Sequence, residues 1–259
     1  MMDIATNALK GEGIALSFGG IEVLRGLDVE FRAGEITGLI GPNGAGKTSL
    51  FNCLTGAYAP QKGSIRYAGQ SLDGLSPAAR AGMGIVRSFQ HVALSPDLSV
   101  LENVMIGVAR NHHAGWQHAF LPTRRGRAEM AAMQAEAERA LSELGLAGAG
   151  GKLPAELPPG MLRLVEIARA IVGRPSVLLL DEPAAGLNNS ETRDLMRSLR
   201  KLAAPDLVMV VVEHDMDLVM SICDRIYVLN FGSFVACGSP DEVRRDEEVV
   251  RIYLGSDDD

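Results

Sequence analysis

The segment Gly41-Pro42-Asn43-Gly44-Ala45-Gly46-Lys47-Thr48 constrains this chain more than any other. Before it runs Ile36 to Ile40, apolar apart from Thr37, and after it Ser49 to Leu54 has helical character. A continuous apolar run is the mark of a strand covered on both faces. Strand, glycine-rich turn, lysine and hydroxyl, then helix, is the context that the spacing G-x-x-x-x-G-K-[ST] requires of a phosphate-binding loop. The glycines let the backbone curl so that successive N–H groups face phosphate oxygens at the positive end of the helix dipole. In such a loop Lys47 reaches the β- and γ-phosphates, the Thr48 hydroxyl ligates magnesium, and the backbone from Gly41 to Ser49 holds the nucleotide. The competing reading, a structural turn with a surface lysine, is disfavoured because all four elements agree. A parallel α/β fold follows.

Two further apolar strands end in chemistry. Val177 to Leu180 is followed by Asp181-Glu182-Pro183, and Leu207 to Val212 by Glu213-His214. Asp-Glu-Pro at a strand end is by itself an ordinary turn. With a phosphate loop upstream, an aspartate there can hold magnesium and the adjacent glutamate can orient or deprotonate a water for in-line attack on a γ-phosphate. A histidine after a strand is usually a packing or capping residue. A third parallel strand delivers His214 to the same carboxyl edge, where ligands of open α/β sheets bind. Gln90, after the apolar segment Ile85 to Phe89, has two readings, a metal or water contact and a plain polar strand end. Phe18 likewise is either a base-stacking ring or an apolar strand residue.

The remaining sequence sets the organisation. At 259 residues the chain suits one large domain with a subdomain, and 47% hydrophobic residues supply a substantial core. Strands are expected at Ile14 to Phe18, Leu27 to Phe31, Ser64 to Tyr67, Arg225 to Leu229 and Ser233 to Cys237. Between residues 94 and 171 the pattern turns helical. Ser99 and Glu102 form a capping box for a helix to about Ala109, Asn111 to Arg127 is loop-like, and a second helix is expected from about Glu129 to Leu144. That middle reads as an inserted helical subdomain, with 1–93 and 172–259 forming the α/β core. A net charge of −7 and the lack of a basic run exclude a nucleic-acid partner. Three cysteines without C-x-x-C spacing give neither a disulfide framework nor a zinc site. No window approaches the roughly 18 apolar residues of a membrane span, and no signal peptide is visible. Any membrane role therefore comes through a partner.

Taken in order, Phe18, Gly41 to Thr48, Ser88-Phe89-Gln90, Asp181-Glu182-Pro183 and His214 resemble the ABC ATPase family across nearly the whole chain. The resemblance implies a P-loop NTPase, an ABC-type ATPase core with an antiparallel β portion and the inserted helical subdomain. It implies Phe18 as the adenine-stacking aromatic, Gln90 as a magnesium- and water-contacting glutamine, and His214 as the γ-phosphate switch, with Glu182, His214 and Gln90 catalytic and Thr48, Gln90 and Asp181 around the metal. It also implies a head-to-tail dimer with a second, identical or homologous, ATPase, whose ATP is closed over by the start of this chain's signature helix at Gly160. Finer features, Phe18-Gly19-Gly20, Asn52 to Gly56, Asp181 to Asn188, Glu213 to Met216, Tyr253-Leu254-Gly255 and the insertion near Asn111 to Arg127, are similar to branched-chain amino acid transport ATPases. Permease subunits in the membrane, indirectly a substrate-binding protein, and a peripheral place on the cytoplasmic face of the inner membrane are what that resemblance implies.

Two departures matter. The family's usual Leu-Ser-Gly-Gly-Gln signature reads here Leu157-Pro158-Pro159-Gly160-Met161. Pro158 lacks the serine hydroxyl and Pro159 a backbone N–H, so two donors to a partner's γ-phosphate are missing. Against that, proline is a good first residue of a helix. A composite site closed by this signature is therefore expected to hydrolyse slowly, with a different ATPase supplying the stronger signature. Asn188 stands where the family often has aspartate. Other readings are urea or amide uptake, lipopolysaccharide export, disfavoured by the long middle insertion, and a soluble ABC protein, which usually carries two cassettes, coiled coils or basic arms. A P-loop kinase would not require Asp181, Glu182 and His214 together.

Overall fold

The computed structural model describes residues 7–88, 94–109 and 123–254. By their packing they divide into two units, one of 7–87, 176–183 and 199–254, the other of 88, 94–109, 123–175 and 184–198.

The first unit holds two sheets. Strands β1 (Ala8–Phe18), β2 (Ile21–Arg32), β4 (Lys62–Tyr67) and β5 (Gln70–Ser71) form an antiparallel sheet in the order β2-β1-β4-β5. The other has the order β10-β9-β3-β8-β7-β6, built from β3 (Ile36–Ile40), β6 (Ile85–Arg87), β7 (Val177–Asp181), β8 (Val208–Val212), β9 (Arg225–Asn230) and β10 (Ser233–Gly238). Strands β3, β6, β7, β8 and β9 run parallel, and β10 returns antiparallel beside β9. Every residue of β3, β7 and β8 is buried, as their continuous apolar sequence requires. Leu9, Phe31, Leu39, Phe51, Leu179 and Val210 belong to one core cluster between the sheets. The Tyr227 hydroxyl on β9 joins them, accepting from Glu30 N–H at 3.2 Å and donating to its carbonyl at 3.3 Å.

Helices α1 (Lys47–Thr55), α2 (Pro77–Gly82), α7 (Met216–Ile222), α8 (Pro240–Arg245) and α9 (Glu247–Leu254) complete this unit. Their starts follow cap chemistry: Ser76 caps Ala79 N–H, Asp215 caps Leu218 N–H, and Ser239 with Glu242 forms a capping box. The β1–β2 hairpin turns through Gly19 and Gly20, both at positive φ, which a two-residue turn matching strand twist demands.

The second unit is helical: α3 (Val100–Ala109), α4 (Arg124–Glu143), α5 (Pro159–Ile171) and most of α6 (Asn189–Leu202). The capping box of Ser99 and Glu102 is present, with Ser99 N–H to Glu102 at 2.7 Å. Helix α3 packs on α4 and α5, and a Cβ at Gly107 would lie 2.2 Å from the Arg169 carbonyl, so glycine permits that close approach. Helix α4 begins at Arg124, five residues before the expected Glu129. Thr123 caps it, accepting from Gly126 N–H at 3.0 Å, and the arginines that gave this stretch a loop-like composition are themselves good helix formers.

Candidate functional site

Parallel register brings three strand ends to one edge. Leu39 on β3 pairs with Val212 on β8, and Val212 pairs with Asp181 on β7. The loops leaving β3, β7 and β8 therefore start side by side, as expected where ligands bind open α/β sheets. A cavity of about 200 Å³ opens there, lined by Val23, the loop from Asn43 to Ser49, Glu182 and His214.

The loop's conformation is one that its glycines alone permit. Gly41, Gly44 and Gly46 have φ of 151°, 79° and 107°. A Cβ at Gly41 would sit 2.0 Å from the Leu229 carbonyl, and one at Gly46 2.9 Å from the Val23 carbonyl. Val23 falls where the β1–β2 register shifts, a bulge that pushes this carbonyl toward the loop. Gly232, in the β9–β10 turn, donates to the Ala45 carbonyl at 2.9 Å and straps the loop beside the Val23 carbonyl, which a Cβ on Gly232 would meet at 2.4 Å. Pro42 sits in the loop's first turn, its carbonyl accepting from Ala45 N–H at 3.2 Å. Asn43 and Thr48 are exposed and Ser49 is partly buried.

Lys47 begins α1 and is buried, its ammonium donating to the carbonyls of Gly41 at 2.6 Å and Pro42 at 3.0 Å. Burial pushes its pKa down, and the charges of Glu182 and Asp181 pull it back up. At the other end of α1, buried Arg80 donates to the carbonyls of Cys53 at 2.7 Å and Leu54 at 2.8 Å, a cation on the negative end of the helix dipole. Desolvation lowers the pKa of this guanidinium. Helix α1 is thereby fixed at both ends. At the first residue of the loop, the Tyr253 phenol is pushed up to about 12 by burial, opposed by a hydrogen bond with the Gly41 backbone.

Asp181 is 1% exposed and paired with Arg87 from the neighbouring strand β6. Arg87 also donates to Asn52 Oδ1 at 2.6 Å and lies 5.6 Å from the centre of the Phe51 ring, so it links α1 to the aspartate. Glu182, one residue on, has φ of 47°, a left-handed backbone that costs a side-chain-bearing residue free energy. Its N–H donates to the Val212 carbonyl at 2.9 Å, which holds the turn against β8. Glu182 Oε1 lies 2.9 Å from His214 Nε2. A carboxylate and an imidazole thus face one cavity with the glycine loop.

Of the residues expected from sequence, Gly41 to Ser49, Asp181, Glu182 and His214 are gathered at this edge. Phe18 stands at the hairpin tip, 46% exposed, with its ring 5.3 Å from that of Tyr58 in an edge-to-face pair. Gln90 lies outside the described residues. Gly160 is the second residue of α5 in the helical unit, and its N–H donates to Glu191 Oε1 at 3.2 Å. Sequence reasoning missed Val23, Arg80, Arg87 and Tyr253. Only Tyr253 carried a signal, as part of the Tyr253-Leu254-Gly255 motif.

Residues 24–185 match the family described as ABC transporter, and residues 235–259 the one described as branched-chain amino acid ATP-binding cassette transporter. The chain is 41% identical to the high-affinity branched-chain amino acid transport ATP-binding protein LivG of Salmonella typhimurium, covering 94% of this chain and 96% of that protein. Identity to the corresponding protein BraF of Pseudomonas aeruginosa is 39%, over 95% and 97% of the two. Among solved structures, a nucleotide-free ATP-binding cassette from an ABC transporter superposes with a TM-score of 0.83 at 30% identity, covering 95% of this chain and 98% of that one. The ADP conformation of an ATP-binding cassette gives the same TM-score and identity, over 96% and 99%.

Proposed function

Because the chain belongs to the ABC transporter ATPase family, we propose that it binds and hydrolyses Mg-ATP to drive uptake of branched-chain amino acids through separate membrane permease subunits. The observation that carries the reading is the convergence of Glu182 and His214, 2.9 Å apart, on the cavity lined by the glycine loop. The uptake of branched-chain amino acids rests on LivG and BraF, whose names state that transport.

In this reading the amides of Gly41 to Ser49 and the Lys47 ammonium hold the phosphates. Lys47 fits that task, since the partners it has are carbonyls, which a phosphate oxygen outbids. Thr48 and Asp181 supply hard oxygen donors suited to magnesium, which is bound largely through phosphates and water. Magnesium supplies neutralisation of charge on the transferred phosphoryl group. Glu182 would orient the attacking water, His214 would hold Glu182 and contact the γ-phosphate, and Phe18 would stack on adenine; the family resemblance gives Gln90 the part of a contact to metal and water. A second ATPase, in head-to-tail pairing, receives this chain's signature turn at Gly160 over its own nucleotide. Among the described residues no helix is long and apolar enough to cross a membrane, so the proposed site of action is peripheral, on the cytoplasmic face beside the permeases, with a substrate-binding protein supplying solute.

The test is Mg-ATP hydrolysis by the purified chain as a function of its own concentration, with Glu182→Gln as control. Turnover that rises with concentration and vanishes in the variant supports a self-pairing ATPase. Tight ATP binding with turnover only after a second cassette subunit is added supports a heteromeric motor. Absence of ATP binding refutes the reading. Replacing Pro158-Pro159 by Ser-Gly raises turnover in the assembled transporter if the missing donors limit it.

A further inference from the structure

Helix α5 opens on two prolines, Pro158 as its cap and Pro159 as its first residue. Neither has an N–H, so the first amide of this helix able to donate is Gly160's, followed by Met161's. Gly160 N–H is engaged by Glu191 Oε1 at 3.2 Å. The other oxygen of the same carboxylate, Oε2, accepts from Asn188 N–H at 3.0 Å. Asn188 reciprocates, its Oδ1 accepting from Glu191 N–H at 3.1 Å and Ser190 N–H at 2.9 Å, which closes a capping box around the start of α6. One carboxylate thus bridges two helix N-termini, that of the signature helix and that of the helix after the Glu182 loop. The contact is close: a Cβ on Gly160 would lie 2.7 Å from the Glu191 carboxyl carbon.

We propose that Glu191 is a positioning residue for the signature turn: its carboxylate ties Gly160 to the cap of α6 and must release that amide before the turn can close on a partner subunit's nucleotide. This rests on the reading of Leu157 to Met161 as the element that closes a partner's site. A carboxylate and a γ-phosphate at one amide compete for the same donor and repel each other. The tether therefore holds the isolated subunit open, and its release reports nucleotide arrival to Asn188 and the loop behind it.

Glu191→Gln separates charge from cap, because glutamine completes a capping box as glutamate does. Two readouts follow on the full chain. In the first, the amide resonance of Gly160 is followed through the carboxylate titration range by NMR. It shifts with pH in the parent and loses that dependence in Glu191→Gln; a Gly160 resonance indifferent to pH in the parent overturns the tether. In the second, Mg-ATP-driven association is measured by sedimentation in the Glu182→Gln background. Glu191→Gln lowers the concentration for half-association about tenfold, the equivalent of one charge-assisted hydrogen bond no longer broken on closure, while ATP affinity stays that of the parent. An unchanged or raised midpoint overturns the competition, since a merely structural carboxylate would weaken closure when lost. If the Glu182→Gln chain binds ATP and associates in neither background, the partner-closing reading fails for a copy of this chain, and the Gly160 titration alone decides the tether.

Discussion

Removing the Arg87 guanidinium tests what partners the buried Asp181 carboxylate. Asp181 is 1% exposed, and Arg87 reaches it from β6 with a side chain 21% exposed. Deleting one partner of a buried pair costs about 3–5 kcal/mol, because the other charge stays desolvated. Arg87 keeps some contact with water and Asp181 makes a further interaction, so the cost falls at or just below that range, about 2–3 kcal/mol for Arg87→Met. For a chain of this length each kcal/mol moves the melting temperature by roughly 2–4 °C, giving a fall of about 5–10 °C. The loss has a second component, the 2.6 Å bond to Asn52 and the contact with Phe51, and a double-mutant cycle separates it. Asp181→Asn alone leaves the guanidinium facing an amide; with Arg87→Met it removes the stranded charge. The double variant should melt above Arg87→Met, with a coupling energy of about 1–2 kcal/mol. The assay is thermal unfolding of all four proteins, free of nucleotide. An Arg87→Met variant within about 2 °C of the parent, less than about 1 kcal/mol at this length, or a double variant no more stable than Arg87→Met, refutes the assignment of the pair as the dominant partner of Asp181.

Gly41→Ala should cost at least about 3 kcal/mol, since its Cβ would be driven to 2.0 Å from the Leu229 carbonyl, whereas Gly44→Ala, with nothing within 4 Å, should pay only the left-handed penalty of about 1–2 kcal/mol; paired thermal melts check the contrast. Lys47→Met should leave stability unchanged or raised by about 1 kcal/mol, because burial already works against its charge, and should weaken ATP binding at least a hundredfold by calorimetry. Burial pushes the Cys223 thiol up to about 12 and Cys53 up to about 11. The folded state then holds protons that the unfolded chain gives up near its ordinary thiol range, so stability falls as pH rises from about 9 toward 11. Cys223→Ala should flatten that slope in urea titrations run at each pH.

What was legible depended on whether the signal was local. The phosphate loop, Asp181-Glu182 and His214 each sit at or just past the end of an apolar strand, and parallel strands deliver their carboxyl ends to one edge whatever their order. The capping box at Ser99 was readable for the same reason, being closed within three residues. Arg87 was not, because its meaning depends on β6 lying beside β7, across 94 residues of chain. Arg80 had the same difficulty: a lone arginine in a six-residue helix announces nothing until α1 ends against it. At Arg124 composition misled, since a run of arginine and glycine hid the Thr123 cap. Neighbours in sequence carry caps and turns, while neighbours in a sheet carry the charge partners.

The two departures from the family pattern, Pro158-Pro159 and Asn188, become one arrangement when both are viewed as helix ends. Pro159 supplies the fixed φ of a first helical residue and forfeits an N–H that is unpaired within the helix in any case. Asn188 caps α6 through Oδ1 as an aspartate would, without adding a second negative charge beside Glu191. An aspartate there would oppose the Glu191 carboxylate inside a single capping box, and like charges at close range repel. Neutral Asn188 therefore sets no like charge beside the Glu191 carboxylate that reaches Gly160. Restoring Asp at 188 should lengthen the Gly160 contact and, if the tether opposes closure, favour nucleotide-driven association. Restoring Ser-Gly at 158 and 159 acts on the same turn by adding donors. Their effects on association should be less than additive, because a turn with spare donors no longer depends on the one that Glu191 holds.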